Sequence, residues 1–143
     1  MIYSEKPENF NPRFEVVSCF CECDGNILLL HRDNDSPQGD KWGAPAGKRE
    51  INEDLFIAMN REIKEETGVS IPSSELKFHD TLFVRYEDYD FLYHTFSAKF
   101  SKQPEIVIDK REHKKFIWIT PKDALKLPLV KDMDTCIKLF YQI

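Results

Sequence analysis

The stretch Gly47 to Val69, GKREINEDLFIAMNREIKEETGV, contains a helix whose charged residues stand where apolar ones belong. Asn52 offers an N-cap, Glu53 and Asp54 suit a first turn, and Gly68 supplies a stop after Thr67, so the spacing predicts a helix of about four turns. At about 100° per residue, with Glu62 at zero, Leu55 falls at about 20°, Met59 at about 60° and Ala58 at about 320°, while Glu65 and Glu66 fall at about 300° and about 40°. Three carboxylates thus continue the apolar stripe that should face a core, instead of joining Asn60 and Lys64 on the opposite side. Like charges three and four residues apart repel, and turning them inward adds desolvation, so the stripe calls for a positive charge. Hard carboxylate oxygens select Mg²⁺ or Mn²⁺ over Zn²⁺. Arg61, Lys64 and Lys48 could instead neutralise a solvated acidic patch. The Gly-rich loop just upstream favours the ion, because its backbone polar groups can reach a phosphate or the metal.

Outward from this helix, strands and helices interleave. Phe14 to Cys23 reads as a strand, Asp24-Gly25-Asn26 as a tight turn and Ile27 to Arg32 as the hairpin partner. Asp33 to Lys48 is so dense in turn residues, among them Pro37, Gly39, Gly43, Pro45 and Gly47, that it predicts irregular chain bending around a site. Leu76 to Tyr86 and Phe91 to Phe100 form an aromatic and β-branched hairpin across the acidic turn Glu87 to Asp90, and His113 to Ile119 a further strand. Pro121 opens a short helix to Leu127, and Val130 to Tyr141 makes a terminal one. Adjacent hairpins among helices predict an α/β fold on a mixed sheet.

The length of 143 residues suits one domain, with residues 1–12 expected as a loosely ordered leader. The 25 Asp and Glu exceed the 20 Lys and Arg, giving a formal charge of −5, which argues against a partner held through nucleic-acid phosphates. A small phosphorylated ligand stays open, since a metal ion could supply the positive charge. Met1 to Pro12 has no apolar export signal, and the longest aliphatic run, Ile27 to Leu30, is too short for a bilayer, so a cytoplasmic protein without a membrane partner is expected. Cys19, Cys21 and Cys23 alternate on a strand, where Cys19 and Cys23 would stand about 13 Å apart, too far to share one zinc ion. They read as small buried hydrophobes, with Cys136 remote in the terminal helix. His31 and His94 read as satisfied polar residues of strands, His79 could face either way, and His113 reads as a hydrogen-bonded structural histidine ahead of a proton shuttle.

The spacing Gly47, five residues, Glu53, seven residues, then Arg61-Glu62-Ile63-Lys64-Glu65-Glu66-Thr67-Gly68-Val69 resembles the complete box of the Nudix hydrolases, G-x5-E-x7-R-E-U-x-E-E-x-G-U. Trp42 to Lys48 is similar to the family's W-x-x-P-G-G approach, with Ala46 in place of a glycine, and Glu112 to Trp118 to its E-h-x-x-x-x-W element. The resemblance implies an α/β/α sandwich around a mixed sheet and Mg²⁺-dependent hydrolysis of a diphosphate linkage in a nucleoside diphosphate derivative, with Mn²⁺ as a substitute. It assigns Glu62, Glu65 and Glu66 to the metal, with Glu65 or Glu66 also orienting or deprotonating the attacking water. Glu53 and Arg61 match the pair that braces loop against helix, the Gly47 carbonyl a metal ligand, and Glu112 an extra ligand or base. A homodimer is common in the family at this size.

Substrate cues are single residues. Phe83, Tyr86, Tyr89, Phe91 and Tyr93 could stack on a base. The placement of Tyr86 beyond the box resembles dinucleoside polyphosphate hydrolases, while the lack of a comparable proline counts against an ADP-ribose pyrophosphatase. A compact MutT-like (d)NTP pyrophosphohydrolase is the first expectation. The alternatives are a dinucleoside polyphosphate hydrolase, a non-catalytic nucleotide-sensing module and an isopentenyl-diphosphate isomerase, which would need a cysteine in the site.

Overall fold

The computed structural model describes residues 1–143. In chain order the elements are β1 (Ile2–Tyr3), β2 (Pro12–Cys23), β3 (Asn26–Arg32), β4 (Trp42–Gly43), β5 (Ala46–Lys48), α1 (Leu55–Thr67), β6 (Leu76–Arg85), β7 (Asp90–Phe100), β8 (His113–Ile119), α2 (Pro121–Ala124) and α3 (Met133–Tyr141). The sheet runs β1-β6-β7-β2-β3-β4, with β5 on β2 and β8 on β3. It is mixed: β2 and β7 are parallel over their lengths, and the other pairings are antiparallel.

Alternation along the central strands explains the layering. Cys19, Cys21, Leu28 and Leu30 face α1 and pack with Met59, Ile63 and Phe96. Phe20, Ile27 and Leu29 face the opposite way, onto Ala124, Met133 and Ile137 of α2 and α3. A sheet covered on both faces needs strands that are apolar at nearly every position, which is why Ile27 to Leu30 is an unbroken aliphatic run. The result is an α/β/α sandwich. No helix is long and apolar enough to cross a membrane.

Three expectations are corrected. The N-cap of α1 is Asp54, not Asn52: its Oδ1 accepts from the Phe56 and Ile57 amides at 2.9 and 3.2 Å, while Asn52 lies at φ 63°. Asn52 and Glu53 stay in the preceding turn. The turn-rich loop is not wholly irregular, because Trp42–Gly43 and Ala46–Lys48 pair with β3 and β2. Within the expected loose leader, Ile2 and Tyr3 pair with Val84 and Phe83, and Phe10 is buried edge-on against Phe83.

Candidate active site

Short strand β5 delivers the loop to the helix. It aligns Ala46 with Ser18 and Gly47 with Val17, and the Ala46 amide donates to Glu66 Oε1 at 2.9 Å. Gly47 lies so near Glu62 that a Cβ built there would fall on the Glu62 carboxylate. Glycine is required here by close approach, not by an unusual φ. Gly47→Ala is therefore expected to displace Glu62 and lower kcat about 10²-fold, the scale of an ångström's misplacement, in steady-state kinetics.

Arg61 holds loop and helix together. Its Nε and Nη2 donate to both oxygens of Glu53 at 2.7 and 2.9 Å, Nη2 also reaches the Lys48 carbonyl at 3.1 Å, and Nη1 donates to Glu62 Oε1 at 2.8 Å. The fork on Glu53 explains why that residue stands outside the helix: from the preceding turn its carboxylate can meet the guanidinium side-on. Hydrogen bonding from Arg61 is the largest influence on Glu53 and holds its pKa down at about 2.

The three acids of the box differ in surroundings. Glu66 is 6% exposed, and burial raises its pKa well above the ordinary carboxylate range, with Glu62 and Glu112 adding to the rise. The Glu62 side chain is 12% exposed and its pKa is raised by burial, against the pull of Arg61. Glu65 departs from the expected inward stripe: its side chain is 58% exposed, 3.4 Å from Arg61 Nη1. The buried face of α1 centres on Met59, Ile63 and Glu66, so Glu65 falls at its edge.

Glu112 ends the loop before β8. Ligand atoms of Glu66, Glu112 and His113 all lie within 4.8 Å of one another. His113 is buried, its Nδ1 has no partner, and its pKa is lowered to about 4, first by burial and then by Arg32. Gly47, Glu62, Glu66 and Glu112 thus converge, while Glu53 and Arg61 brace them. Buried carboxylates with raised pKa and an unpartnered imidazole nitrogen form a donor set that suits a divalent cation.

A cavity of about 290 Å³ links this cluster to an aromatic patch. Its walls include Gly47, Glu66 and His113, and also Tyr86, Tyr89 and Asp132. Phe14 stacks on Phe91 with ring centroids 5.1 Å apart, and Tyr86 meets Tyr89 and Phe91 edge-on at 5.5 and 5.2 Å. Lys131 lies over the Tyr86 ring at 4.1 Å and Lys48 over Phe14 at 4.3 Å. Cys136 also borders the cavity, but burial and then the Asp132 charge push its thiol up to about 12. The other cysteines are buried in strand β2.

Asp132 and His113 were not singled out as site residues by the sequence. Asp132 precedes α3 at φ 66° and makes no capping bond to its own helix; its Oδ2 is buried without a hydrogen-bond partner. The terminal ammonium of Met1 stands 3.6 Å away but donates to the Arg85 carbonyl at 2.7 Å. An acid at a helix start normally reads as a cap, so only the fold reveals its other orientation.

The family model described as NUDIX domain matches residues 12–140. The CTP pyrophosphohydrolase of Escherichia coli (strain K12) is 29% identical over 117 residues, covering 80% of this chain and 82% of the relative. The uncharacterized Nudix hydrolase YvcI of Bacillus subtilis (strain 168) is 30% identical over 118 residues, covering 80% of this chain and 70% of the relative. Among solved structures, the MutT protein from Methanosarcina mazei Go1 superposes with a TM-score of 0.78 at 20% identity, over 92% of this chain and 94% of its own, a likeness of fold.

Proposed function

The chain belongs to the NUDIX family, hydrolases of phosphorus-containing anhydrides that act on nucleoside diphosphate derivatives, and we propose that it is a Mg²⁺-dependent nucleoside triphosphate pyrophosphohydrolase. The observation that carries this reading is the single cavity joining the acidic cluster to one aromatic patch, a layout suited to a polyphosphate at one end and one base at the other. Glu62, Glu66, Glu112 and the Gly47 carbonyl are the groups that would hold the ion. A bound divalent cation supplies neutralisation of the polyphosphate and a water of lowered pKa. Glu65 or Glu66 accepts the proton of the attacking water, while Arg61 and Glu53 keep the loop registered against the helix.

Asp132 supplies a criterion for the base. An ionised carboxylate only accepts hydrogen bonds, so the occupant facing Oδ2 must donate. Asp132 and Tyr86 line the same cavity, and burial, followed by the Asp132 charge, raises Tyr86 to about 12. Cytosine and adenine offer an exocyclic amine and guanine a donor edge, whereas uracil and thymine flank their one N–H with carbonyls that repel the acid. The E. coli relative, a CTP pyrophosphohydrolase, is consistent with this choice. Asp132→Ala is expected to lower kcat/KM for amino-bearing nucleotides about tenfold or more and to narrow their advantage over UTP.

The reading is tested by incubating the protein with a panel of nucleoside triphosphates and resolving the products. A nucleoside monophosphate plus pyrophosphate, formed with Mg²⁺ and not with EDTA, is expected. Turnover undiminished by chelator would refute it. Cleavage confined to dinucleoside polyphosphates would favour that alternative, and binding without turnover a sensing module. Turnover of isopentenyl diphosphate, with Cys136 as the cysteine that borders the cavity, would favour the isomerase alternative.

A further inference from the structure

We infer that the imidazole of His113 is a metal ligand, which converts an all-oxygen site into a mixed oxygen and nitrogen site favouring Mn²⁺ and later first-row ions over Mg²⁺. The inference rests on the divalent-ion reading given above. Buried histidine nitrogens are normally satisfied. His94 follows that rule, with Nδ1 at 2.8 Å from Thr81 Oγ1 and Nε2 at 2.7 Å from Glu15 Oε1. His113 does not: it is 5% exposed, and its Nδ1 has no partner. His31 also has an unpartnered Nδ1, but its ring lies flat on Trp42 with centroids 4.4 Å apart, and its Nε2 meets Asp40 at 2.9 Å. What distinguishes His113 is its neighbours, for it offers a ligand atom within 4.8 Å of one from Glu66 and one from Glu112. That separation is only slightly above what two ligands on opposite sides of an ion reach, each at about 2.1 Å.

Backbone geometry agrees. His113 begins β8 opposite Arg32, where the β3–β8 register shifts between His31 and Arg32. Such irregularities re-aim a side chain that a regular ladder would direct elsewhere. Imidazole nitrogen binds Mg²⁺ poorly, while its affinity for first-row ions rises from Mn²⁺ toward Co²⁺ and Ni²⁺. A nitrogen donor beside two carboxylates therefore alters which ion is retained, without removing the oxygen ligands that Mg²⁺ uses.

The test is pulsed electron paramagnetic resonance on the full chain loaded with less than one equivalent of Mn²⁺. Modulation from a directly bound ¹⁴N is expected in the wild type and is lost in His113→Gln and His113→Leu, neither of which offers an imidazole nitrogen. Titration calorimetry should show the Mn²⁺ Kd raised about tenfold or more in both variants and the Mg²⁺ Kd changed by less than about threefold. Modulation that persists in either variant overturns the assignment. Its absence from the wild type does so without needing a variant to fold. A wild-type chain that hydrolyses nucleotides with Mg²⁺ but shows no ¹⁴N coupling would remove His113 and leave the hydrolase reading standing; a chain that takes up neither ion would remove both.

Discussion

Glu66→Gln is expected to lower kcat about 10²–10⁴-fold, the range for loss of a group that moves or orients a proton, and at the same time to make the metal-free protein more stable. Glutamine keeps an oxygen for the Ala46 amide and removes a charge from a site that is 6% exposed. Because the folded-state pKa of Glu66 lies above its unfolded value, the native state holds the proton more tightly. The penalty is absent below pH 4.5 and grows as pH rises through the folded-state pKa. Melting curves in EDTA should therefore coincide for wild type and variant near pH 4 and separate at neutral pH, the variant higher by a few degrees, equivalent to about 1 kcal/mol or more. Adding Mg²⁺ should raise the wild type more than the variant, since binding to the native state alone stabilises it. Equal stability in EDTA at pH 7.5 would show that the buried charge is already compensated.

The second large effect concerns the brace. Arg61→Ala leaves Glu53 and Glu62 without their shared partner in a region where the three side chains are 24%, 11% and 12% exposed. The expected loss is about 2–4 kcal/mol of stability, at or just below the range for breaking a buried pair, with kcat falling about 10²-fold as the loop loses register. Arg61→Lys should recover little, because an ammonium cannot span both oxygens of Glu53. Glu53 also carries a pH signature. Its folded-state pKa of about 2 lies below the ordinary carboxylate value of 4.5, so its stabilisation is complete above pH 4.5 and is lost as pH falls through about 2. Urea titrations of wild type and Glu53→Gln should show a constant gap from pH 5 to 7 that narrows below pH 4.5. A gap unchanged at pH 3 would contradict the pairing.

Helix α1 and strand β8 were legible because their signals are local. Gly68 stops α1 at φ 76°, and the strand His113–Ile119 carries the contiguous aromatic and β-branched run Phe116 to Ile119. Capping preference does not separate Asp54 from Asn52, which has the same chemistry two residues earlier; the fork from Arg61 to Glu53, which keeps Glu53 in the preceding turn, spans eight residues and cannot be read from that preference. Strands β4 and β5 were invisible for a related reason. Two or three residues such as Trp42–Gly43 carry no periodicity, and their conformation comes from the neighbours they pair with. The inward direction that the carboxylate stripe predicts is found for Glu62 and Glu66, whose exposures are 12% and 6%. The stripe misplaced Glu65 because an ideal wheel gives spacing but not the rotation of the helix on its sheet. His113 and Asp132 acquire their unpartnered atoms from long-range packing, one beside β3 and the other against the cavity wall.

The parallel pairing of β2 with β7 has a consequence for how the chain is made. Glu15 on β2 accepts from Arg49 at 2.8 Å and meets His94 on β7 at 2.7 Å, and Arg49 in turn donates to the Glu53 carbonyl at 2.6 Å. Glu15 and His94 stand 79 positions apart. At a synthesis rate of about 5–20 residues per second, β2, the loop and α1 must wait several seconds before β7 exists to meet them. During that interval the strongly apolar β2 lacks its longest partner, and closing so long a loop is slow. The nascent chain is therefore most prone to aggregation between synthesis of α1 and release of β7.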